Sequence, residues 1–252
     1  MSTSVVPGQL VTAKDATALA QEAAARLAES LRAAIAARGS VSFALSGGNT
    51  PRPVYERLAR ETGIAWDKVS IFFIDERAVP PTSDRSNYRL AKESLLDGAP
   101  IPAGNVHRMR GEAENLEEAA REYEAVLRQK LSGSTVEARE VPTFDVALLG
   151  IGDDGHTASL FPGDSTINVR DRLVLPVAAS PEHKREARLT VTVPVIEHIE
   201  RVLVLVAGKE KHPALERIWS VQGTTHETPG RILRDAKGSV VWCIDKAAGG
   251  AQ

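Results

Sequence analysis

The residues best suited to chemistry lie in a glycine-rich stretch, Gly150 to Pro162, which begins directly after an apolar run. It places two carboxylates and an imidazole close together, as Asp153, Asp154 and His156. An imidazole has an ordinary pKa of about 6.5, so it can take and return a proton near neutral pH. A neighbouring carboxylate can orient that ring or stabilise its protonated form. The stretch therefore predicts acid–base chemistry centred on His156, with Asp154 as its partner.

A second cluster of small and polar residues also follows an apolar run. Its members are Ser46, Gly47, Gly48, Asn49 and Thr50, and Pro51 comes next. A glycine turn that leads into a helix can hold a phosphate, because its free N–H groups and the helix dipole both favour an anion. The turn lacks the third spaced glycine of a dinucleotide fingerprint and the Gly-Lys-Ser/Thr ending of a Walker loop. Taken alone, this cluster is equally typical of a simple tight turn. Together with the other clusters, it is predicted to bind a phosphate.

Two further clusters offer positive charge. Asp75-Glu76-Arg77 and Gly208 to Lys211 both follow apolar runs. The guanidinium of Arg77 suits a phosphate or a developing oxyanion, and Lys211 is a point charge. Taken alone, Asp75-Glu76-Arg77 is more typical of the solvated end of a strand, and a lysine at a helix start is common. The sequence leaves open which of the two cations faces a phosphate, and also the roles of Asp75, Asp153 and Arg188.

The sequence gives no indication of a metal site. The acidic spacing after Gly150 does not fit a calcium loop, which needs a Glu at its twelfth position. No HExxH motif and no Cys/His pair at zinc-ligand spacing is present. The five histidines other than His156 have no comparable setting, and we predict that they are surface or packing residues.

The elements that must position these clusters alternate between helices and apolar strands. Helices are predicted over about Asp15–Arg38, Pro51–Glu61, Ser86–Leu96, Asn115–Leu131 and Pro213–Trp219. Strands are predicted over about Val41–Leu45, Val69–Ile74, Phe144–Leu149, Arg188–Val193, Val202–Val206 and Ser239–Ile244. This pattern predicts an α/β fold with a mostly parallel sheet and helices on both faces. Such sheets bind ligands beyond the carboxyl ends of their strands, where the four clusters are expected to converge.

Composition is that of an ordinary globular protein. The 252 residues are 42% hydrophobic and 25% charged, with 31 basic and 33 acidic residues, which predicts one domain over residues 1–252 without a nucleic-acid partner. The single cysteine, Cys243, lies in an apolar run and suits a buried strand in a reducing compartment. No signal-peptide pattern and no apolar stretch of about 20 residues is present. We expect a cytoplasmic protein without a membrane partner, either a monomer or a homodimer.

Five of these motifs together resemble the 6-phosphogluconolactonase family, within the broader group that includes glucosamine-6-phosphate deaminases. They are Leu45–Pro51, Asp75–Arg77 with Ser86-Asn87-Tyr88, Gly150–Pro162, Arg188–Pro194 and Gly208–Lys211. The resemblance implies a Rossmann-like fold and hydrolysis of 6-phospho-D-glucono-1,5-lactone to 6-phospho-D-gluconate in the oxidative pentose phosphate pathway. It also implies that no metal or organic cofactor is needed.

Within this resemblance, we predict His156, Asp154 and Arg77 as catalytic residues. The predicted substrate-binding residues are Ser46, Gly47, Gly48, Asn49, Thr50, Asp75, Arg77 and Lys211.

Two other functions are alternatives to lactone hydrolysis, that of an amino-sugar-phosphate deaminase or isomerase and that of a sugar-phosphate sensor. A glucosamine-6-phosphate deaminase or isomerase would carry a Glu where this chain has Phe161, so the ring-opening carboxylate is missing. A non-catalytic sugar-phosphate sensor would usually carry a basic helix-turn-helix. The alanine-rich N-terminal helix has no such partner helix, and the lactone hydrolase is therefore the favoured prediction.

Overall fold

The computed structural model describes residues 4–131, 141–183 and 185–250. Its strands are β1 (Gln9–Ala13), β2 (Val41–Leu45), β3 (Val69–Phe73), β4 (Asp75–Arg77), β5 (Val146–Gly150), β6 (Val174–Val177), β7 (Arg188–Val191), β8 (Arg201–Val206) and β9 (Ser239–Asp245). Its α-helices are α1 (Ala16–Arg38), α2 (Arg52–Leu58), α3 (Asn87–Ala91), α4 (Leu116–Leu131), α5 (Val193–Glu197) and α6 (His212–Trp219). A π-helical turn, Lys92–Leu96, continues α3.

The main sheet has the strand order β1-β9-β8-β5-β2-β3, and every neighbouring pair in it is parallel. Helices flank it, and α1 packs against β2, β8 and β9. The strands β2, β5 and β8 are almost completely buried, which is why they read as continuous apolar runs. The predicted α/β architecture with a mostly parallel sheet is confirmed.

A small antiparallel sheet, with the order β4-β7-β6, stands beside the carboxyl end of β3. The stretch Arg188–Val193, predicted as one strand, forms β7 only as far as Val191, because Pro194 lies in the first turn of α5. The interpretation of Asp75-Glu76-Arg77 as a solvated strand end is wrong. These residues form β4, and the side chains of Asp75 and Glu76 are buried.

Helix α1 shows how local sequence sets the boundaries of an element. The Asp15 side chain caps its first turn by accepting a hydrogen bond from the N–H of Ala18 at 2.8 Å. Gly39 ends it with φ of 80°, a left-handed conformation in which its N–H bonds the carbonyl of Ile35. The face that includes Leu27 is buried, as its spacing predicts.

Two further predictions concern the core and the membrane. Cys243 lies buried in β9, as predicted, and burial raises the pKa of its thiol to about 12. Among the helices of the described residues, none has both the length and the apolar composition needed to cross a bilayer.

Candidate active site

A cavity of about 320 Å³ opens beyond the carboxyl ends of β2, β5 and β8. Of the predicted site residues, all but Asp154 line it. They are Ser46, Gly47, Gly48, Asn49, Thr50, Asp75, Arg77, His156 and Lys211. Asn87, Ala158 and Arg188 also contribute to its wall. The strand-end clusters therefore meet in one place, as the parallel sheet requires.

One carboxylate oxygen of Asp154 contacts both the ring and the backbone of His156. Its Nδ1 lies 2.6 Å from Oδ1 of Asp154, and its backbone N–H donates to the same oxygen at 3.0 Å. Burial raises the pKa of the Asp154 carboxyl, but the hydrogen bond and the charge of His156 outweigh it and bring the pKa down to about 2. The carboxylate is therefore ionised at neutral pH and can only accept. The Nδ1 atom must carry the proton, which leaves Nε2 as the free basic nitrogen.

The turn around His156 needs glycine at two positions. A Cβ at Gly152 would lie 2.1 Å from Nδ1 of His156, so any side chain there would displace the imidazole. Gly155 has φ of 91°, and its N–H bonds the carbonyl of Gly152 at 2.9 Å. Just beyond, Ala158 has φ of 54°, which is uncommon for a residue with a side chain, and it lies in the cavity wall. The sequence motif is thus a geometric requirement of this turn.

The glycine turn after β2 is fixed at its base by Tyr55. The Tyr55 hydroxyl donates to the carbonyl of Ser46 at 2.8 Å and accepts from its N–H at 3.1 Å. Gly47 is pressed against the side chain of Asn87, whose Oδ1 lies only 1.7 Å from where a Cβ of residue 47 would stand. Within the described part of the chain, the N–H groups of Gly47 and Gly48 have no acceptor. They are available to an anion in the cavity.

Arg77 projects from β4 into the cavity, and a hydrogen bond to the loop after β4 holds its side chain in place. Its Nη1 donates to the carbonyl of Arg85 at 2.6 Å, so the loop after β4 accepts one of its hydrogen bonds.

The side chain of Glu76, the residue before Arg77, holds the start of α3 in place. It accepts from the N–H groups of Arg77, Asn87 and Tyr88 at 2.7–2.8 Å and from the Ser86 hydroxyl at 3.0 Å. Burial raises the pKa of Glu76, although these donors oppose the shift.

Asp75 lies in the cavity wall as a buried carboxylate with several partners. Its oxygens accept from the Ser159 hydroxyl at 2.6 Å and from Nδ2 of Asn87 at 3.0 Å, and Nη1 of Arg188 lies 3.7 Å away. Burial lowers the pKa of Arg188, yet a guanidinium stays protonated in proteins. Arg188 therefore brings a second guanidinium to the cavity, beside Arg77.

Lys211 reaches the cavity from the short 3₁₀ turn that follows β8. Its Nζ lies 2.5 Å from Oδ1 of Asp153, in the same turn as His156. Gly208 starts this segment with φ of 99°, and its N–H bonds both carboxylate oxygens of Asp245 at 3.1 Å. The segment that carries Lys211 is thus bonded to the main sheet through Gly208. The Lys211 side chain is paired with the turn that carries His156.

A protein-family model described as glucosamine-6-phosphate isomerases/6-phosphogluconolactonase matches residues 14–242. The chain belongs to this family. That membership confirms the resemblance found in the sequence.

Curated and structural relatives in the glucosamine-6-phosphate isomerase/6-phosphogluconolactonase family agree with one another. The chain is 41% identical to a 6-phosphogluconolactonase of Synechocystis sp. over 86% of each sequence. It is 37% identical to a 6-phosphogluconolactonase of Nostoc sp., over 93% of this chain and 94% of that protein. The solved structure of a 6-phosphogluconolactonase from Trypanosoma cruzi superposes with a TM-score of 0.84 at 31% identity, over 99% of this chain and 98% of the other.

Two cavity residues have no role in the sequence-based account of this family member. Asn87 belongs to the motif Ser86-Asn87-Tyr88, but its Nδ2 bonds Asp75 in a different segment, a contact that no local pattern reveals. Arg188 was left open because it begins an alternating strand. Only the pairing of β4 with β7, which places Arg188 opposite Arg77, brings it to the cavity.

Within residues 4–131, 141–183 and 185–250, no group of three or more His, Cys, Asp or Glu side chains has an arrangement that would hold a metal ion. Hydrolysis without a metal or an organic cofactor stays a prediction for this member of the family.

Proposed function

We propose that this chain is a 6-phosphogluconolactonase, which hydrolyses 6-phospho-D-glucono-1,5-lactone to 6-phospho-D-gluconate in the oxidative pentose phosphate pathway. The observation that carries the proposal is the position of the His156–Asp154 pair. It stands at a cavity that also presents Arg77, Arg188 and Lys211, so a base and an anion-binding wall face the same space. The relatives that share 37–41% identity are 6-phosphogluconolactonases by name.

In the proposed mechanism, Nε2 of His156 takes a proton from a water molecule as its oxygen attacks the lactone carbonyl carbon. The ionised Asp154 stabilises the imidazolium that forms and keeps its Nδ1 proton in place. The tetrahedral intermediate then collapses by breaking the bond between the carbonyl carbon and the ring oxygen. His156 returns its proton to that oxygen, which becomes a hydroxyl, and the product is the open-chain acid.

The substrate is held through its phosphate in this scheme. The N–H groups of Gly47 and Gly48, with the Thr50 hydroxyl, supply donors, while the cationic side chains supply charge. Holding the lactone at one end converts the attack of water into an oriented reaction, and fixed donors stabilise the developing oxyanion. We assign Arg77 to these anion-binding groups, as predicted from the sequence.

The remaining expectations are part of the same proposal. The single cysteine fits a cytoplasmic enzyme, and the near-balanced charge fits the absence of a nucleic-acid partner. Hydrolysis without a metal is proposed with them.

The test is hydrolysis of freshly generated 6-phosphogluconolactone, measured above the spontaneous rate. Wild type should accelerate it, and His156→Ala should lower kcat by about 10²–10⁴-fold, the usual contribution of a general base. The matched control is His226→Ala, which removes an exposed imidazole outside the cavity and should keep the wild-type rate.

Each other outcome has a definite meaning. If wild type fails to accelerate hydrolysis, the proposal is wrong, and release of ammonia from glucosamine 6-phosphate is the next assay. If no turnover is found there either, binding of sugar phosphates tests the sensor function. If His156→Ala is as active as wild type, the reaction is right and the catalytic assignment is wrong.

A further inference from the structure

His156 touches an aromatic ring that does not belong to the cavity wall. The ring centroid of Phe161 lies 4.6 Å from that of the imidazole, with an angle of 44° between the planes. Phe161 is only 7% exposed. The guanidinium carbon of Arg188 lies 5.6 Å from its ring centre, and Arg188 is also held by the Asp75 carboxylate, 3.7 Å from its Nη1. Asp154 therefore contacts the histidine through Nδ1, and Phe161 contacts it through the ring.

The two contacts restrain different motions. The hydrogen bond from Nδ1 holds the imidazole only as firmly as Asp154 itself is held, and a movement of both side chains together would shift Nε2. Asp154 cannot prevent this movement, because about half of its own side chain is exposed. A buried ring packed against the imidazole opposes the movement, since tilting the imidazole would cause a clash or open a gap. Phe161 therefore supplies the restraint that the hydrogen bond lacks.

Phe161 is in turn held by Arg185. The guanidinium carbon of Arg185 lies 4.0 Å from the centre of the Phe161 ring, within the range of a cation–π contact. The Arg185 side chain is 16% exposed and lies 3.5 Å from the carboxylate of Asp164. Its backbone exchanges hydrogen bonds with that of Ser180 at 2.8 and 2.9 Å. The guanidinium is thus itself fixed, and it can restrain the aromatic ring.

We propose that Phe161 is a positioning residue for His156, and that Arg185 acts through Phe161 to keep the imidazole aimed at the cavity. The proposal rests on the proposed lactone hydrolysis, in which Nε2 of His156 is the base. Phe161 touches no substrate in this scheme. Its removal should therefore lower the rate of the chemical step and leave substrate binding nearly unchanged.

The first experiment compares kcat and KM for Phe161→Leu, Arg185→Gln and Phe144→Leu. Since small misplacements of a catalytic group cost up to about a hundredfold, Phe161→Leu should lower kcat roughly tenfold to a hundredfold and leave KM within about twofold. Arg185→Gln keeps a polar side chain but loses the cation that contacts the Phe161 ring, and a smaller fall in kcat is expected. Phe144, fully buried against Phe72, is the matched control for the loss of an aromatic ring from the core.

Phe144→Leu should keep wild-type kcat per folded molecule, with folding followed by circular dichroism. Phe161→Tyr, which keeps the ring, should restore most of the activity lost in Phe161→Leu. Unchanged kcat in both Phe161→Leu and Arg185→Gln would overturn the proposal, as would a loss confined to KM. Arg185→Gln keeps the test decisive if Phe161→Leu fails to fold.

A second measurement does not depend on activity. The carbon-bound imidazole protons of His156 can be identified by NMR through their loss in His156→Ala. The Phe161 ring current should shift them in wild type, and Phe161→Leu should move them while Phe144→Leu does not. If the His156 proton signals do not move in Phe161→Leu, the two rings are not in contact and the proposal is wrong. A wild-type enzyme that shows the contact but no hydrolysis would overturn the proposed function alone.

Discussion

Replacing Asp154 by Asn removes a charge and changes the size of the side chain very little. The pKa of Asp154 falls from 3.8 to about 2, although burial opposes the fall, because His156 binds its ionised form. The ionised carboxylate also stabilises the imidazolium that forms during catalysis, and the fall in the pKa of Asp154 corresponds to about 2 kcal/mol before solvent screening. The Asp154 side chain is 49% exposed, so solvent screening reduces the effect to about 1 kcal/mol.

These two figures bracket the expected loss. A change of about 1 kcal/mol in the barrier is about fivefold in rate, and about 2 kcal/mol is about thirtyfold. Asp154→Asn should therefore lower kcat for lactone hydrolysis by a factor between these values. A larger loss would mean that the amide has turned its NH₂ group toward Nδ1, which moves the ring proton to Nε2 and blocks the base.

The assay is the initial rate of lactone hydrolysis over a range of substrate concentrations, corrected for the spontaneous reaction. Asp153→Asn makes the same chemical change one residue earlier, but it acts on the ion pair with Lys211 and should therefore change KM rather than kcat. An Asp154→Asn protein with kcat within twofold of wild type, and with an unaltered circular dichroism spectrum, would refute the assignment of Asp154 as the partner of His156.

Four further predictions follow from the same contacts. Arg77→Ala should raise KM, because it removes an anion-binding guanidinium; an unchanged KM would mean that Arg77 does not face the phosphate. Gly47→Ala should raise KM or destabilise the fold, since its Cβ would overlap Oδ1 of Asn87, and kinetics with thermal melting will separate the two. Glu76→Gln should cost about 1–3 kcal/mol in urea unfolding, because an amide cannot accept from all four donors. The depressed pKa of Asp154 should add stability above about pH 4 that disappears as the pH falls through about 2, so wild type and Asp154→Asn should converge in acid unfolding.

Most of the main sheet could be predicted because burial on both faces leaves a plain signal. The strands β2, β5 and β8 are apolar at nearly every position, and α1 repeats its apolar residues on one face. β1 was missed because it lies at the edge of the sheet and most of its residues are exposed or half-buried. Its sequence, Gln9–Ala13, therefore lacks the apolar run that marks the central strands.

The small sheet was harder to predict for a different reason. β4 has only three residues, and two of them are acidic, so local chemistry indicates a solvated turn. The burial of Asp75 depends on donors from Ser159 and Arg188, which are distant in sequence and close only after folding. No periodicity in a short window contains that information.

Part of the candidate site could be predicted from the sequence because its members are neighbours along the chain. Asp154 and His156 are two residues apart, and the glycines around them restrict the turn that brings their side chains together. Phe161 shows the limit of this reasoning. Its type was used to separate two related enzymes, but its contact with the imidazole follows from how the turn packs and could not be inferred from spacing.

The pairing of β1 with β9 sets the order in which the sheet can be completed on the ribosome. Gln9 lies opposite Val241 and Ala13 opposite Asp245, so β1 is synthesised long before the strand with which it pairs. Until then β1 has no edge to join, while β2, β3 and β5 can already assemble. The nascent chain must therefore carry β1 unpaired until β9 has been synthesised. Sheet contacts so far apart in sequence also favour slow completion of the native fold over fast local folding.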